Sequence, residues 1–215
     1  MTKAGTPVAP DADIALDAPD HPYVGRGGLK LAHALDVFAI GVTGRSALDI
    51  GASTGGFTDV LLRRGARTVT AVDVGHGQLD WTLRQDPRVV VMEGVNARFL
   101  SRYLVAPHPA AAALVDIVTI DVSFISLKLI LPPVRPILAP GADVIALVKP
   151  QFEAGRRDVG RGGIVRDEAV HARVIDEVTA AADALGWERA GLVESPITGM
   201  EGNREFLMHL RVRDI

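Results

Sequence analysis

The sequence predicts an α/β fold with a seven-stranded, mostly parallel sheet and an antiparallel last strand. Three observations carry this. From Ser46 onward, strand-like apolar runs alternate with helix-like stretches, the signature of a parallel sheet covered by helices. The first run ends in the glycine-rich segment GASTGGF at 51–57, where doubly wound sheets place their ligand loop. Three further runs end in charged residues, Asp73, Asp121 and Lys149, which set polar groups on the carboxyl rim of the sheet.

The elements follow in order. Residues 1–21, rich in Pro, Asp and Ala, read as an extended lead-in, and 22–215 as a single domain. Gly27–Phe38 carries Leu31, Leu35 and Phe38 on one helical stripe, with Lys30 off it. The expected strands are Ala47–Ile50, Thr68–Val72, Val89–Met92, Ile117–Ile120, Val144–Val148, Arg189–Val193 and Phe206–Arg211. The clearest helix between strands has Val170, Val174, Val178 and Leu185 on one face, Asp167 as N-cap and Gly186 past its end. The turn-rich SPITGMEGN precedes the last strand and lets it insert antiparallel.

Bulk properties narrow the function. At 215 residues and 48% hydrophobic, the chain can bury one sizeable core. It has no cysteine, so disulfides and cysteine–metal clusters are excluded. A reducing, cytoplasmic location is expected. The opening MTKAGTPVAPDAD has no apolar stretch of the secretory kind. Other apolar runs, such as AAAALVDIVTI, are short and broken by charge, so no membrane span is expected. A formal charge of −3 gives no global attraction to a polyanion, so a nucleic-acid partner requires local basic clusters. His21, His33, His76, His108, His171 and His209 show no ligand spacing, and no metal is assigned.

The loop after Ile50 suggests an adenosine-like ligand. Gly51, Gly55 and Gly56 would let the backbone come close to it, although a turn built only for packing has the same composition. Asp73 lies 22 positions after Gly51, close to the offset of a ribose-binding carboxylate. A dinucleotide motif wants glycine where Ser53 stands, and Asp49 would repel a pyrophosphate. S-adenosylmethionine (SAM) carries a sulfonium and an amino group and no phosphate, so nearby acids help, and the residues lean towards SAM over NAD. On the rim, a lysine ending an apolar strand is suited to proton transfer. Arg156, Arg157, Arg161 and Arg166, set among glycines, suit a loop gripping phosphates, and equally a solvated loop without a partner.

Six ordered motifs, YVGRGGLKL, ALDIGASTGGFT, AVDVGHGQL, TIDVSFISL, LVKPQFEAG…VGRGGIVRD and SPITGMEGNREFL, closely resemble the haemolysin A (TlyA-like) family. These are FtsJ-like ribosomal RNA 2′-O-methyltransferases that use SAM. The resemblance runs from about Tyr23 to the C-terminus and implies a Rossmann-like class I SAM-dependent methyltransferase acting on ribosomal RNA or ribosomal subunits, with cytidine the implied target. The superfamily's Lys–Asp–Lys–Glu tetrad falls on Lys30, Asp121, Lys149 and Glu205. Its SAM contacts fall on Asp49, Gly51, Ala52, Ser53, Thr54, Gly55, Gly56 and Phe57, on Asp73 and Val74, and on Asn96 and Asp121. Lys149 is expected to contact the ribose hydroxyl and accept or relay its proton, while Asp121 and Glu205 balance the two ammonium groups. The family usually opens with a small RNA-binding module, and TKAGTPVAPDADIAL resembles only the tail of one. The chain as given is therefore expected to bind SAM but methylate RNA weakly. Two other functions compete: a cytolysin acting directly on membranes, after the family's other label, and an NAD-dependent oxidoreductase.

Overall fold

A computed structural model describes residues 21–100 and 114–212. The expected lead-in apart from His21, the alanines at 110–113 and His108 lie outside the described residues. Helix α1 spans Gly27–Val37 and buries Leu31 and Leu35 as the stripe requires. Lys30, off that stripe, is buried as well, because its face meets a second element. Strand β1 is Ser46–Ile50, helix α2 Gly56–Arg63, strand β2 Thr68–Val72, helix α3 Trp81–Arg84 and strand β3 Val89–Met92. The second half continues with β4 at Val115–Ile120, α4 at Leu131–Val134, β5 at Leu138–Val148 and α5 at Pro150–Glu153. Helix α6 spans Glu168–Asp183, capped by Asp167, whose side chain accepts from the Ala169 N–H. Strands β6, Trp187–Glu194, and β7, Phe206–Val212, complete the fold.

The sheet runs β3-β2-β1-β4-β5-β7-β6. The first five strands are parallel, and β7 lies antiparallel between β5 and β6, as the turn-rich segment before it suggested. Alternate residues of each strand feed two cores. Leu48, Ile50, Val118 and Ile120 pack with Val170, Val174 and Val178 of α6. Ala47, Val69 and Ala71 pack with Leu31, Leu35, Val60 and Leu61 of α1 and α2. Both faces are covered, which is why the strands read as apolar runs rather than alternating ones. β5 begins earlier than its periodicity indicated. Its pairing with β4 jumps from Val115↔Leu138 to Ile117↔Asp143, because Pro140 has no N–H to give the ladder and Gly141 sits at φ +70°.

The amino edge of the sheet carries its own charged lock. The buried Asp143 carboxylate accepts from Arg45 at 2.7 Å, His209 at 2.7 Å and Arg211 at 2.9 Å. Phe38 stacks on the His209 ring at 5.4 Å. Burial pushes the Asp143 carboxyl up, but the donors from His209, Arg211 and Arg45 outweigh it and hold the group well below the usual carboxylate range. The depressed value means this stability is present above 3.8, the ordinary value, and is lost as pH falls through the folded-state value. Asp143→Asn should therefore cost about 3 kcal/mol in urea unfolding at pH 7, the scale of a broken buried pair. The deficit should shrink as pH falls below 4. An undiminished midpoint at pH 7 would show the lock to be dispensable.

Candidate active site

Strand order reverses between β1 and β4, and the crevice at such a switch point is where ligands bind. The loop from Gly51 fills it. Gly51 and Ala52 donate to the Val72 carbonyl, and Asp121 N–H to the Ile50 carbonyl. These bonds tie the ends of β1, β2 and β4 into one rim. The glycines prove to serve packing first. A Cβ on Gly51 would lie 2.3 Å from the Asp121 carbonyl oxygen, on Gly55 2.3 Å from Leu83, and on Gly56 2.9 Å from the Gly28 nitrogen. At these three positions the protein also approaches itself closely, and of the three Gly51 and Gly56 still line a cleft.

A cleft of about 410 Å³ opens beside the loop, lined by apolar Val72, Val95, Ile125 and Ile130 and by polar Asp73, Asn96 and Asp121. Its volume is that of a small-molecule site. Asp73 is oriented by backbone: one oxygen accepts from Ser53 N–H at 2.8 Å, the other from Gly75 N–H at 2.7 Å. Each oxygen keeps acceptor capacity for a ribose hydroxyl. Ser53 sits at φ +48°, and its amide is committed to Asp73, so it is not free for a pyrophosphate. Apolar walls for a purine, a fixed carboxylate for a ribose and Asp121 beyond it fit SAM.

A second cleft, about 230 Å³, adjoins the first and shares Gly51, Ser53 and Asp121 with it. Arg26, Lys30, Thr54, Phe57 and Gly199 line it. Beside it the tetrad residues form two ion pairs, of which Lys30 and Asp121 line the cleft and Lys149 and Glu205 stand behind them. Lys30 Nζ lies 2.5 Å from Glu205 Oε2, and Lys149 Nζ lies 2.6 Å from Asp121 Oδ1. Lys149 also donates to Ser123 Oγ at 3.0 Å and lies 5.9 Å from the Phe152 ring centroid. Lys30 reaches Glu205 because α1 packs tightly on α2: Val24 N–H donates to Asp59 at 3.0 Å, and Gly28 and Gly56 let the two helix starts touch.

The structure thus brings all four tetrad residues to the carboxyl rim. Gly51, Ser53, Asp73, Val74, Asn96 and Asp121 line the first cleft; Ala52, Thr54, Gly56 and Phe57 line the second. Gly55 is instead the left-handed N-cap of α2 at φ 101°. Asp49, expected as a cofactor contact, lines neither cleft. It is fully buried beneath the loop and accepts from Thr58 at 2.7 Å and Thr119 at 2.9 Å. Burial pushes its carboxyl up to about 6 against the pull of those two hydroxyls, with the nearby Asp121 charge adding to the rise. Arg156, Arg157, Arg161 and Arg166 are all exposed. The expectations above missed Arg26, Ser123 and Phe124. Phe124 is 90% exposed, stands at φ +63° and meets Phe152 at 4.9 Å. Its turn is braced by Glu153, which accepts from Ser126 at 2.5 Å and Leu127 N–H at 2.6 Å. The signal was available: an aromatic three residues after Asp121 in DVSF, beyond the end of the strand, has no strand partner to bury it.

A mostly parallel sheet with a reversed β7, a cleft at the switch point and a lysine–acid rim beside it define a Rossmann-like methyltransferase. The chain belongs to the FtsJ-like methyltransferase family, whose profile matches residues 23–212. The methyl donor of that family is SAM, which sets aside the NAD-dependent alternative. The chain is 49% identical over 194 residues to the 16S/23S rRNA (cytidine-2′-O)-methyltransferase TlyA of Mycobacterium tuberculosis, covering 90% of this chain and 70% of that protein. It is 41% identical over 187 residues to Hemolysin A of Brachyspira hyodysenteriae, covering 87% and 76%. A solved structure of a candidate hemolysin from Streptococcus thermophilus superposes with a TM-score of 0.83 at 51% identity, covering 92% of this chain and 70% of that one.

Asp49 offers a test of the buried floor. Its folded value of about 6 exceeds the ordinary 3.8, so the native state holds the proton more tightly than the unfolded chain. The corresponding stability is full below 3.8 and lost as pH rises through about 6. Asp49→Asn removes this titration. The variant should gain about 2 kcal/mol on the wild type between pH 4.5 and pH 7.5, at roughly 1.4 kcal/mol per pH unit across the window. Parallel stability profiles of the two proteins by urea unfolding would contradict it.

Proposed function

We propose that the chain transfers the SAM methyl group to a ribose 2′-hydroxyl of ribosomal RNA, with cytidine as the target nucleoside and the ribosomal subunit or its RNA as partner. The carrying observation is the pair of clefts that share Asp121, with the Lys30 ammonium held by buried Glu205 and the Lys149 ammonium by half-buried Asp121. The relatives named as ribosomal RNA methyltransferases support the same acceptor. In this reading Asp73 holds the donor's ribose, Asn96 and the Val72–Val95 wall take its base, and Asp121 faces both donor and acceptor. SAM supplies an electrophilic methyl on a positive sulfur.

The protein's part is to place a poor nucleophile in line with that methyl and to manage its proton. Lys149 contacts the 2′-hydroxyl and accepts or relays its proton, while Asp121 and Ser123 fix the direction of its ammonium. Lys30 lines the acceptor cleft, and Glu205 holds it from behind. Arg26 and the exposed arginines at 156–166 meet phosphates, and Phe124 offers a ring face to a base of the acceptor strand. Such an acceptor places the work in the cytoplasm. Among the described residues, no helix is long and apolar enough to cross a membrane.

Two measurements test these roles. Calorimetry should show SAM bound more tightly than NAD, and Asp73→Ala should weaken SAM by tenfold or more, since hydrogen bonds to a charged group contribute about 1.5–3 kcal/mol. Lys149→Ala should keep SAM affinity within about twofold yet slow single-turnover methylation by about 10²–10⁴-fold. Methylation persisting within a few-fold in Lys149→Ala would remove Lys149 from the chemistry.

A further inference from the structure

Between the arginine-rich loop and the tetrad lies one buried amide that neither the donor cleft nor the proton transfer uses. Asn203 is 2% exposed, and both ends of its side chain engage a distant segment. Its Oδ1 accepts from Val165 N–H at 3.0 Å, and its Nδ2 donates to the Gly163 carbonyl at 3.0 Å. The held segment is the C-terminal limb of the loop. Gly160 N–H donates to the Ile164 carbonyl at 3.0 Å, closing a turn that presents Arg161. The buried His171 donates from Nε2 to the Val165 carbonyl at 3.0 Å, and Arg166 follows directly.

The other side of Asn203 leads to the tetrad. Its carbonyl accepts from Gly199 N–H at 2.9 Å. Gly199 lies against Glu205 so closely that a Cβ there would stand 2.2 Å from Oε1. Glu205 in turn holds Lys30 at 2.5 Å, and its carbonyl takes the Ser195 N–H at 2.9 Å. A chain of contacts therefore runs from the loop by hydrogen bonds through Asn203 to Gly199, and by close packing from Gly199 to the Lys30–Glu205 pair.

We propose that Asn203 is a positioning residue that couples engagement of RNA phosphates by Arg161 and Arg166 to the placement of Glu205 and Lys30. This rests on the reading of RNA as acceptor. An amide suits the task because it offers a donor and an acceptor side by side to a backbone carbonyl and a backbone N–H. A side chain that only filled space would leave both of these backbone groups unpaired. The loop is then more than a sticky patch: its grip and the geometry of the acceptor cleft rise and fall together.

The test uses the full chain, deproteinised ribosomal RNA and labelled SAM. Asn203→Ala should leave SAM affinity within about twofold, raise KM for RNA about tenfold, lower kcat as well, and flatten the salt dependence of KM. The flattening should match that of an Arg161→Gln/Arg166→Gln double variant, each lost phosphate contact removing about 0.7–0.9 from the log–log slope. Adding the arginine changes to Asn203→Ala should then do little more, the signature of groups acting as one unit. Independent, multiplicative losses, or an unaltered salt slope, overturn the coupling. Gly163→Ala is the second variant, in case removing the buried amide prevents folding. At φ +75° with nothing within 4 Å of a Cβ, it strains the same contact without opening the core, and it should reproduce the KM and salt effects. Hydrogen exchange reads the link without any acceptor: in either variant, 160–166 and 195–205 should lose protection together. Loss confined to 160–166 overturns the proposal even if ribosomal RNA proves to be the wrong acceptor. A wild type that fails to methylate ribosomal RNA counts instead against the proposed function.

Discussion

The site depends on the direction of one strand. Because β7 runs antiparallel to β5, its first residue sits beside the last residue of β5, with Phe206 opposite Val148. Glu205 and Lys149, each one step beyond that pair, are therefore set on the same rim. A parallel β7 would have carried Glu205 to the far edge, among the donors around Asp143. The reversal also brings His209 and Arg211 to that far edge, where Asp143 waits. Charge thus pins β7 at both ends of the sheet, and hydrophobic burial of Leu207, Met208 and Leu210 fills the middle.

Around this frame, acids are used in three distinct ways. Asp121 and Glu205 hold ammonium groups at the rim, where the balance of charge allows ionised side chains to stay partly buried. Asp73 is held by amide donors, which orient both oxygens of its carboxylate. Asp49 is bonded by Thr58 and Thr119 in a fully buried floor, and burial wins there. Spacing along the chain says nothing about which of these an acid will become; the partners do.

Much of the site was legible in sequence because class-defining residues end strands. Asp73, Asp121 and Lys149 announced themselves as charges closing apolar runs, and the strand ladder placed them together. The motifs supplied Lys30 and Glu205, whose distance in sequence hides a 2.5 Å contact. What stayed hidden was decided by three-dimensional packing. Gly51, Gly55 and Gly56 read as space for a ligand but are required by Asp121, Leu83 and Gly28. Asp49 was expected as a cofactor contact, yet the fully buried pattern of β1 directs it into the floor. The early start of β5 was masked by Pro140 and Gly141, and Asn203 by a turn-rich context that says nothing of burial.

The division of labour along the chain has a kinetic meaning. Every residue lining the first cleft lies between Ile50 and Ile130, whereas Lys149 and Glu205 arrive later, the latter only with the closing strand. Pairing β7 between two strands already distant in sequence is a slow, non-local event. The first cleft is thus laid out by the early strands, whereas the Lys30–Glu205 contact exists only once β7 lies beside β5.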